Sequence, residues 1–339
     1  MKQKIKVRNK YFRRYLGVIF ASLFFILGPF SGTALADAGF TVTESGGSTS
    51  VAESGSTDTF TVVLDEQPSE NVVFSVASGD TGEVTVSPAT LTFTSGNWNS
   101  AQTVTVTGVN DSLIDGSQTT TITIAVVDAI SDDDFDSLAD KTVSVTTTDN
   151  DTASFTVTQS GGSTAVSESG STDTFTVVLG AQPASNVVIS VTSGDTGEAT
   201  VSPATLTFTS GNWNSAQTVT VTGVNDSLID GSQNTTITMS VVDASSDDSF
   251  DSLNDQTVTV STADNDTASF TVTQSGGSTS VAESGTTDTF TVVLGAQPTS
   301  DVTLSVISGD TGEATVSTET LQFTSGNWNS AQTVTVTGV

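Results

Sequence analysis

Acidic side chains return at matching places along this sequence. Glu53 lies in "VAESGSTD", Asp111 and Asp115 in "VNDSLIDGS", and Asp149 and Asp151 in "TTTDND"; Glu168, Asp226, Asp230, Asp264 and Asp266 stand in the same contexts 115 residues later. Carboxylates grouped in this way offer two chemistries, oxygen ligation of a cation or a paired general acid and base of the glycosidase kind. The 339 residues include 38 Asp and Glu but no His and no Cys. That composition excludes Ser-His-Asp and Cys-His nucleophile systems and any zinc site built on His or Cys. It also excludes disulfides, so a core, a metal or both must hold the fold.

Other chemistry-bearing stretches say less. Asp80 and Glu83 could form a catalytic pair, but no cleft-forming insertion interrupts the compact repeat, and no enzymatic role is expected. "DDDFDSLAD" spaces Asp132, Asp134 and Asp136 at alternate positions, yet lacks the Gly at the sixth place and the Glu at the twelfth that an EF-hand loop needs, the latter being Val143. It reads as a flexible acidic loop. Trp98, Trp213 and Trp328, each in "SGNWNSAQ", are expected to cover the end of a small core, because an aromatic's apolar area is usually buried. "SGGST" and "SGDTGE" precede no helix and are turns, not phosphate cradles.

The elements that must position the acids follow from a tandem repeat. "AGFTVTESGGST" begins at Ala38, "ASFTVTQSGGST" at Ala153 and again at Ala268, a spacing of 115 residues each time. The third copy reaches Val339 within "AQTVTVTGV" and lacks its last third. Inside each copy, apolar residues alternate with Thr and Ser, as in "TDTFTVVL", "AQTVTVTGV", "TTTITIAVV" and "KTVSVTT". A period of two marks strands with one buried face, and about seven or eight of them per copy suit an immunoglobulin-like antiparallel β-sandwich. Solenoid units of roughly 20 to 50 residues are too small to bury a core of their own, whereas these copies are long enough. The expected organisation is therefore all-β: a signal peptide over 1–36, sandwiches over 37–152 and 153–267, and a truncated sandwich over 268–339.

The signal peptide is read from the amino end. Seven of the eight Lys and Arg residues precede the apolar run "LGVIFASLFFILGPF", which "ALA" at Ala34 to Ala36 follows. The run contains Pro29 and is shorter than a membrane span requires, so cleavage after Ala36 and export are expected, with no span in the mature chain. Beyond it only Lys141 opposes all 38 acids. Such a chain will not bind nucleic acid or an anionic membrane surface through its own charge. Cations or a cationic partner are its natural counterpart.

Counting strands brings the 110–118 loop and the end of the last strand to one tip of the sandwich. Two carboxylates about 5 Å apart at an effective dielectric near 20 repel by roughly 3 kcal/mol, so a cluster of them needs a cation. Calcium suits it, taking about six to eight oxygens in a flexible arrangement. The order of Glu53, then "VNDSLIDG", then "TTTDND" resembles Calx-beta domains, over the whole of the first two copies and the third as far as it goes. That resemblance implies calcium at one tip of a β-sandwich. The ligands it implies are Glu53, Asp111, Asp115, Asp149 and Asp151, and then Glu168, Asp226, Asp230, Asp264 and Asp266.

This chain departs from the family in having Asn110-Asp111 and Asn225-Asp226 for paired acids, Gln118 and Gln233 for a further acid, and "VTVSPATL" or "ATVSPATL" in place of an Asp-Tyr. Its terminal run is Asp-Asn-Asp, and fewer carboxylates imply fewer ions or weaker binding. Calx-beta-like surface repeats imply a structural or adhesive stalk at the cell surface, with extracellular polymers as ligands. The competing reading is a polysaccharide-binding or spacer region of a larger secreted enzyme cut at Val339. Because Asp149 and Asp151 stand at the junction of the first two copies, which has no Gly or Pro, a cation there is expected to stiffen it.

Overall fold

The computed structural model describes residues 38–339, all of it β-structure and turns; the expected signal peptide lies outside the described residues. The first copy forms nine strands: β1 (Phe40–Glu44), β2 (Thr49–Ala52), β3 (Thr57–Leu64), β4 (Val72–Ser78), β5 (Val84–Ser87), β6 (Thr90–Phe93), β7 (Gln102–Gly108), β8 (Gln118–Val126) and β9 (Lys141–Thr148). They assemble as a four-stranded sheet in the order β1-β3-β7-β5 and a five-stranded sheet in the order β2-β9-β8-β4-β6. Every pair is antiparallel except β2 and β9, which run side by side from Thr49↔Val145 to Ala52↔Thr148.

The alternation predicted from sequence sets the burial. In β8 Thr120, Ile122 and Ile124 turn inward while Thr119 and Thr121 do not, and in β9 Val143, Val145 and Thr147 do the same. Between the sheets Phe60, Phe74, Phe93, Ile122 and Ile124 are wholly buried, with Phe74 meeting Phe40 at a ring-centroid distance of 4.6 Å. Trp98 packs against this core, as expected, and its carbonyl accepts from the Leu64 amide at 3.2 Å.

The second copy repeats the design, with a four-stranded sheet of 155–159, 172–179, 217–223 and 199–202 and a five-stranded sheet of 164–167, 256–263, 233–241, 187–193 and 205–208. In the third copy the first sheet forms from 270–274, 287–294, 332–338 and 314–316, but the second consists of 302–305 and 320–323 alone. Phe270 is consequently 57% exposed, against 2% for Phe40 at the same place in the first copy.

The acidic loop after β8 is not the loose segment that its composition suggests. Asp132 is 4% exposed and its carboxylate accepts from the Ser69 amide and hydroxyl, the Glu70 amide and the Asp134 amide at 2.7 to 3.1 Å. Phe135 then plugs the core. One buried aromatic and one fully used carboxylate thus pin a stretch in which charge density alone predicts mobility.

Candidate cation site

Glu53 is the residue immediately after β2, and its amide extends the parallel ladder by donating to the Thr148 carbonyl at 3.1 Å. That rung places the Glu53 side chain beside the residues that follow β9. β7 must pass close beneath, and only glycine permits it: a Cβ on Gly108 would stand 2.1 Å from the Ala52 carbonyl oxygen. The chain leaving β7 carries Asn110, Asp111 and Asp115, and the Val109 amide donates to the Glu83 carbonyl at 2.8 Å, just ahead of β5. Four strand ends thereby deliver their acids to one tip.

Oxygens of Glu53, Asp111 and Asp151 lie within 4.8 Å of one another, as do oxygens of Glu53, Glu83 and Asp115; Glu168, Asp226 and Asp266 form the corresponding group in the second copy. Glu53 and Glu168 are each 1% exposed. One carboxylate oxygen each of Glu83, Asp115 and Asp151, and of Glu198, Asp230 and Asp266, is buried without a hydrogen-bond partner. Burial, reinforced by the neighbouring charges, raises the pKa of Glu53, Glu83 and Asp151, and likewise of Glu168 and Glu198. The Asn150 amide, at 3.5 Å, lowers the Glu53 pKa by more than any one neighbouring charge raises it, but does not offset burial.

No side-chain cation answers these charges among the described residues. Lys141, their single basic residue, lies over the Phe40 ring at 4.7 Å and donates to the Phe40 carbonyl. Buried anionic oxygens with neither a donor nor a counter-charge are costly, and a bound cation would satisfy several at once.

Of the residues expected from sequence, Glu53, Asp111, Asp115 and Asp151 converge, as do Glu168, Asp226 and Asp266. Asp230 stands next to Glu198, whose pKa its charge helps to raise. Asp149 and Asp264 lie beside the clusters, their charges helping to raise the pKa values of Glu53, Asp151 and Glu168, and each also accepts from the amide two residues on at 2.7 Å, and from Gly116 at 2.9 Å or Gly231 at 2.8 Å. They shape the terminal run and hold the acidic loop against it. For Asp264 those amides lower the pKa.

Sequence reasoning missed Glu83 and Glu198 as members of the cluster. Each Glu immediately precedes the "VTVSPATL" or "ATVSPATL" that stands in place of an Asp-Tyr. The signal available was the turn "SGDTGE" in each copy, but only the register Val84↔Gly108 brings it beside Asp111. The surface depression over Asp80, Glu83 and Asp115 is lined otherwise by Gly79, Gln118 and Thr119 to Thr121.

The loop carrying Asp111 and Asp115 also reaches the next copy. The Gln182 amide donates to Ser112 at 2.6 Å, and the Ile114 amide donates to the Gln182 carbonyl at 3.0 Å. Ile114 packs against the second core. Ser227, Ile229 and Gln297 repeat the backbone arrangement one copy on.

No family model and no curated protein matches this chain. Among solved structures it is similar to CBD12 from CALX1.2 (11% identity, 65% of this chain and 99% of that chain, TM-score 0.25) and to domains 4 and 5 of the S-layer protein SbsC (19%, 67% and 100%, TM-score 0.27). It is also similar to the titin I-band fragment I67–I69 (11%, 90% and 90%, TM-score 0.26). At these identities and scores the likenesses carry no argument about what the chain does. No helix among the described residues is long and apolar enough to cross a membrane.

Proposed function

We propose that this chain is an exported protein of tandem β-sandwich domains, 37–152, 153–267 and 268–339, whose first two copies bind calcium and stiffen a structural or adhesive stalk at the cell surface. The observation that carries the reading is the set of buried carboxylate oxygens at each tip that have no hydrogen-bond donor and no basic neighbour. Five carboxylates of the first copy, Glu53, Glu83, Asp111, Asp115 and Asp151, are the ligands, and Glu53 is shared between two triads as a bridging carboxylate would be. In the second copy Glu168, Glu198, Asp226, Asp230 and Asp266 take these places.

Calcium accepts such an irregular, oxygen-only shell, whereas magnesium demands near-octahedral geometry and keeps its waters. The backbone hydrogen bonds that Gln182 makes, donating to the Ser112 carbonyl and accepting from the Ile114 amide, support the stiffening, because the loop that would hold the ion is also the loop that grips the next copy. The Calx-beta resemblance of the motifs supports the same reading, and adhesion to an extracellular polymer extends it.

Thermal melting tests this directly. Calcium in excess over a chelator is expected to raise Tm markedly more than magnesium at equal ionic strength; equal responses to both ions would leave an acidic spacer without a specific site.

A further inference from the structure

We propose that the acidic tip is a cation-operated lock on mechanical unfolding, in which an ion shared by Glu53 and Asp151 fastens the parallel pair β2 and β9 that end-to-end tension must shear to open the first copy, with the same arrangement in the second. The inference rests on the cation-binding reading above and adds a mechanical function to it.

The topology supplies the argument. The chain enters the first copy through β1 and β2 and leaves through β9. β2 and β9 are parallel neighbours, so once β1 has been drawn off β3, tension toward the two chain ends pulls β2 from its start and β9 from its finish. Parallel neighbours loaded at opposite ends slide past each other, and the rungs from Thr49↔Val145 to Ala52↔Thr148 must then fail together instead of one at a time.

Only four residues of β2 make this seam, and β9 is its one partner in the sheet. In the third copy, where no strand among the described residues corresponds to β9, Thr279–Ala282, the equivalent of β2, forms no strand. Glu283, the equivalent of Glu53, is exposed there, while Glu53 is 1% exposed.

The carboxylates sit where such a seam most needs reinforcement. Glu53 directly follows β2 and Asp151 lies three residues past β9, with oxygens within 4.8 Å. An ion between them is one more rung at the common end of both strands. It is also the strongest, since sliding would separate two charged ligands from a divalent cation. Asp111 and Glu83 join the same ion group to β7 and β5 of the opposite sheet, so slip of the seam also works against that sheet. Glu168 and Asp266 repeat the arrangement around 164–167 and 256–263, again a parallel pair.

Single-molecule force spectroscopy on the full chain, held by its two termini, tests the lock, with calcium binding measured calorimetrically on the same protein. Forced unfolding is governed by the unfolding rate, so lifetimes under constant load are the readout, and calcium should lengthen two unfolding events by about tenfold or more over magnesium or chelator. E53Q should abolish the gain in one event and leave the other. Load applied instead through thiols introduced by S95C and S137C, in a chain that has no other Cys, bypasses the β2–β9 seam and should show little calcium gain for the first copy. Calcium that binds but leaves lifetimes under terminal load unchanged would overturn the lock while leaving the cation site standing, and an equal gain in both pulling directions would reduce it to general stabilisation. Absence of calcium binding would remove the cation reading itself.

Discussion

Glu83 separates a ligand from a merely structural acid. Its pKa is raised by burial and then by Asp115, Asp111, Asp80 and Asp149, so in chelator its charge opposes folding. E83Q is therefore expected to raise Tm by roughly 4 °C or more without calcium while weakening calcium binding about tenfold or more. A residue with only a packing role would not give opposite signs. The pH dependence follows. Glu53 and Glu83 bind protons more tightly folded than unfolded, so their stabilising contribution is full below the ordinary value of 4.5 and is lost as pH rises through their raised folded values. Acidifying chelated protein toward that value should raise Tm, and calcium affinity should fall over the same range as protons compete; urea titrations with and without calcium read both. Glu53, Asp111, Asp115 and Asp151 were legible in the sequence because each flanks a strand end. Glu83 was not, because turn chemistry describes "SGDTGE" completely at short range and its role depends on a pairing to β7.

At the scale of elements, two positions fix the frame around the tip. Gly108 lets β7 pass against Ala52, and G108A is expected to push β2 away, lowering stability and calcium affinity together; unchanged affinity in a calorimetric titration would show that β2 does not depend on that approach. Asp132 sits on the 128–140 loop, which leaves β8 far along the chain from Glu53, and holds four hydrogen bonds while almost wholly buried. Its pKa is lowered, chiefly by the Glu70 amide and the Ser69 hydroxyl, so its contribution is present above the ordinary 3.8 and is lost as pH falls through the lower folded value. D132A should cost about 2 kcal/mol or more in urea denaturation, since it leaves those donors unmatched, and calcium affinity should not change. Period-two alternation revealed the long strands and their buried faces. It did not reveal that short β2 pairs in parallel with β9, because that pairing joins residues nearly a hundred positions apart, and it misjudged the 131–140 loop because composition carries no record of Phe135 finding the core.

For the molecule as a whole, the account is of serial copies joined through their acidic loops. Ile114 packs on the second core while Ser112 and Ile114 exchange backbone hydrogen bonds with Gln182. I114D should therefore leave calcium binding by the first copy largely intact but loosen the joint, which small-angle scattering in calcium would register as a wider range of end-to-end lengths; an unchanged profile would place the stiffness elsewhere. The repeat and its 115-residue spacing were plain in the sequence. The grip of one copy's loop on the next was not, because Gln182 lies in an ordinary "AQPAS" turn whose partner is seventy residues upstream. The measurement closest to the central claim is calorimetric titration of calcium into the full chain after dialysis against a chelator, with magnesium at equal ionic strength beside it. The account predicts saturable calcium binding at an even number of sites, shared equally by the first two copies and halved when Glu53 and Asp151 are both changed to their amides. Weak responses of the same size to calcium and magnesium, or binding that survives those substitutions undiminished, would contradict it.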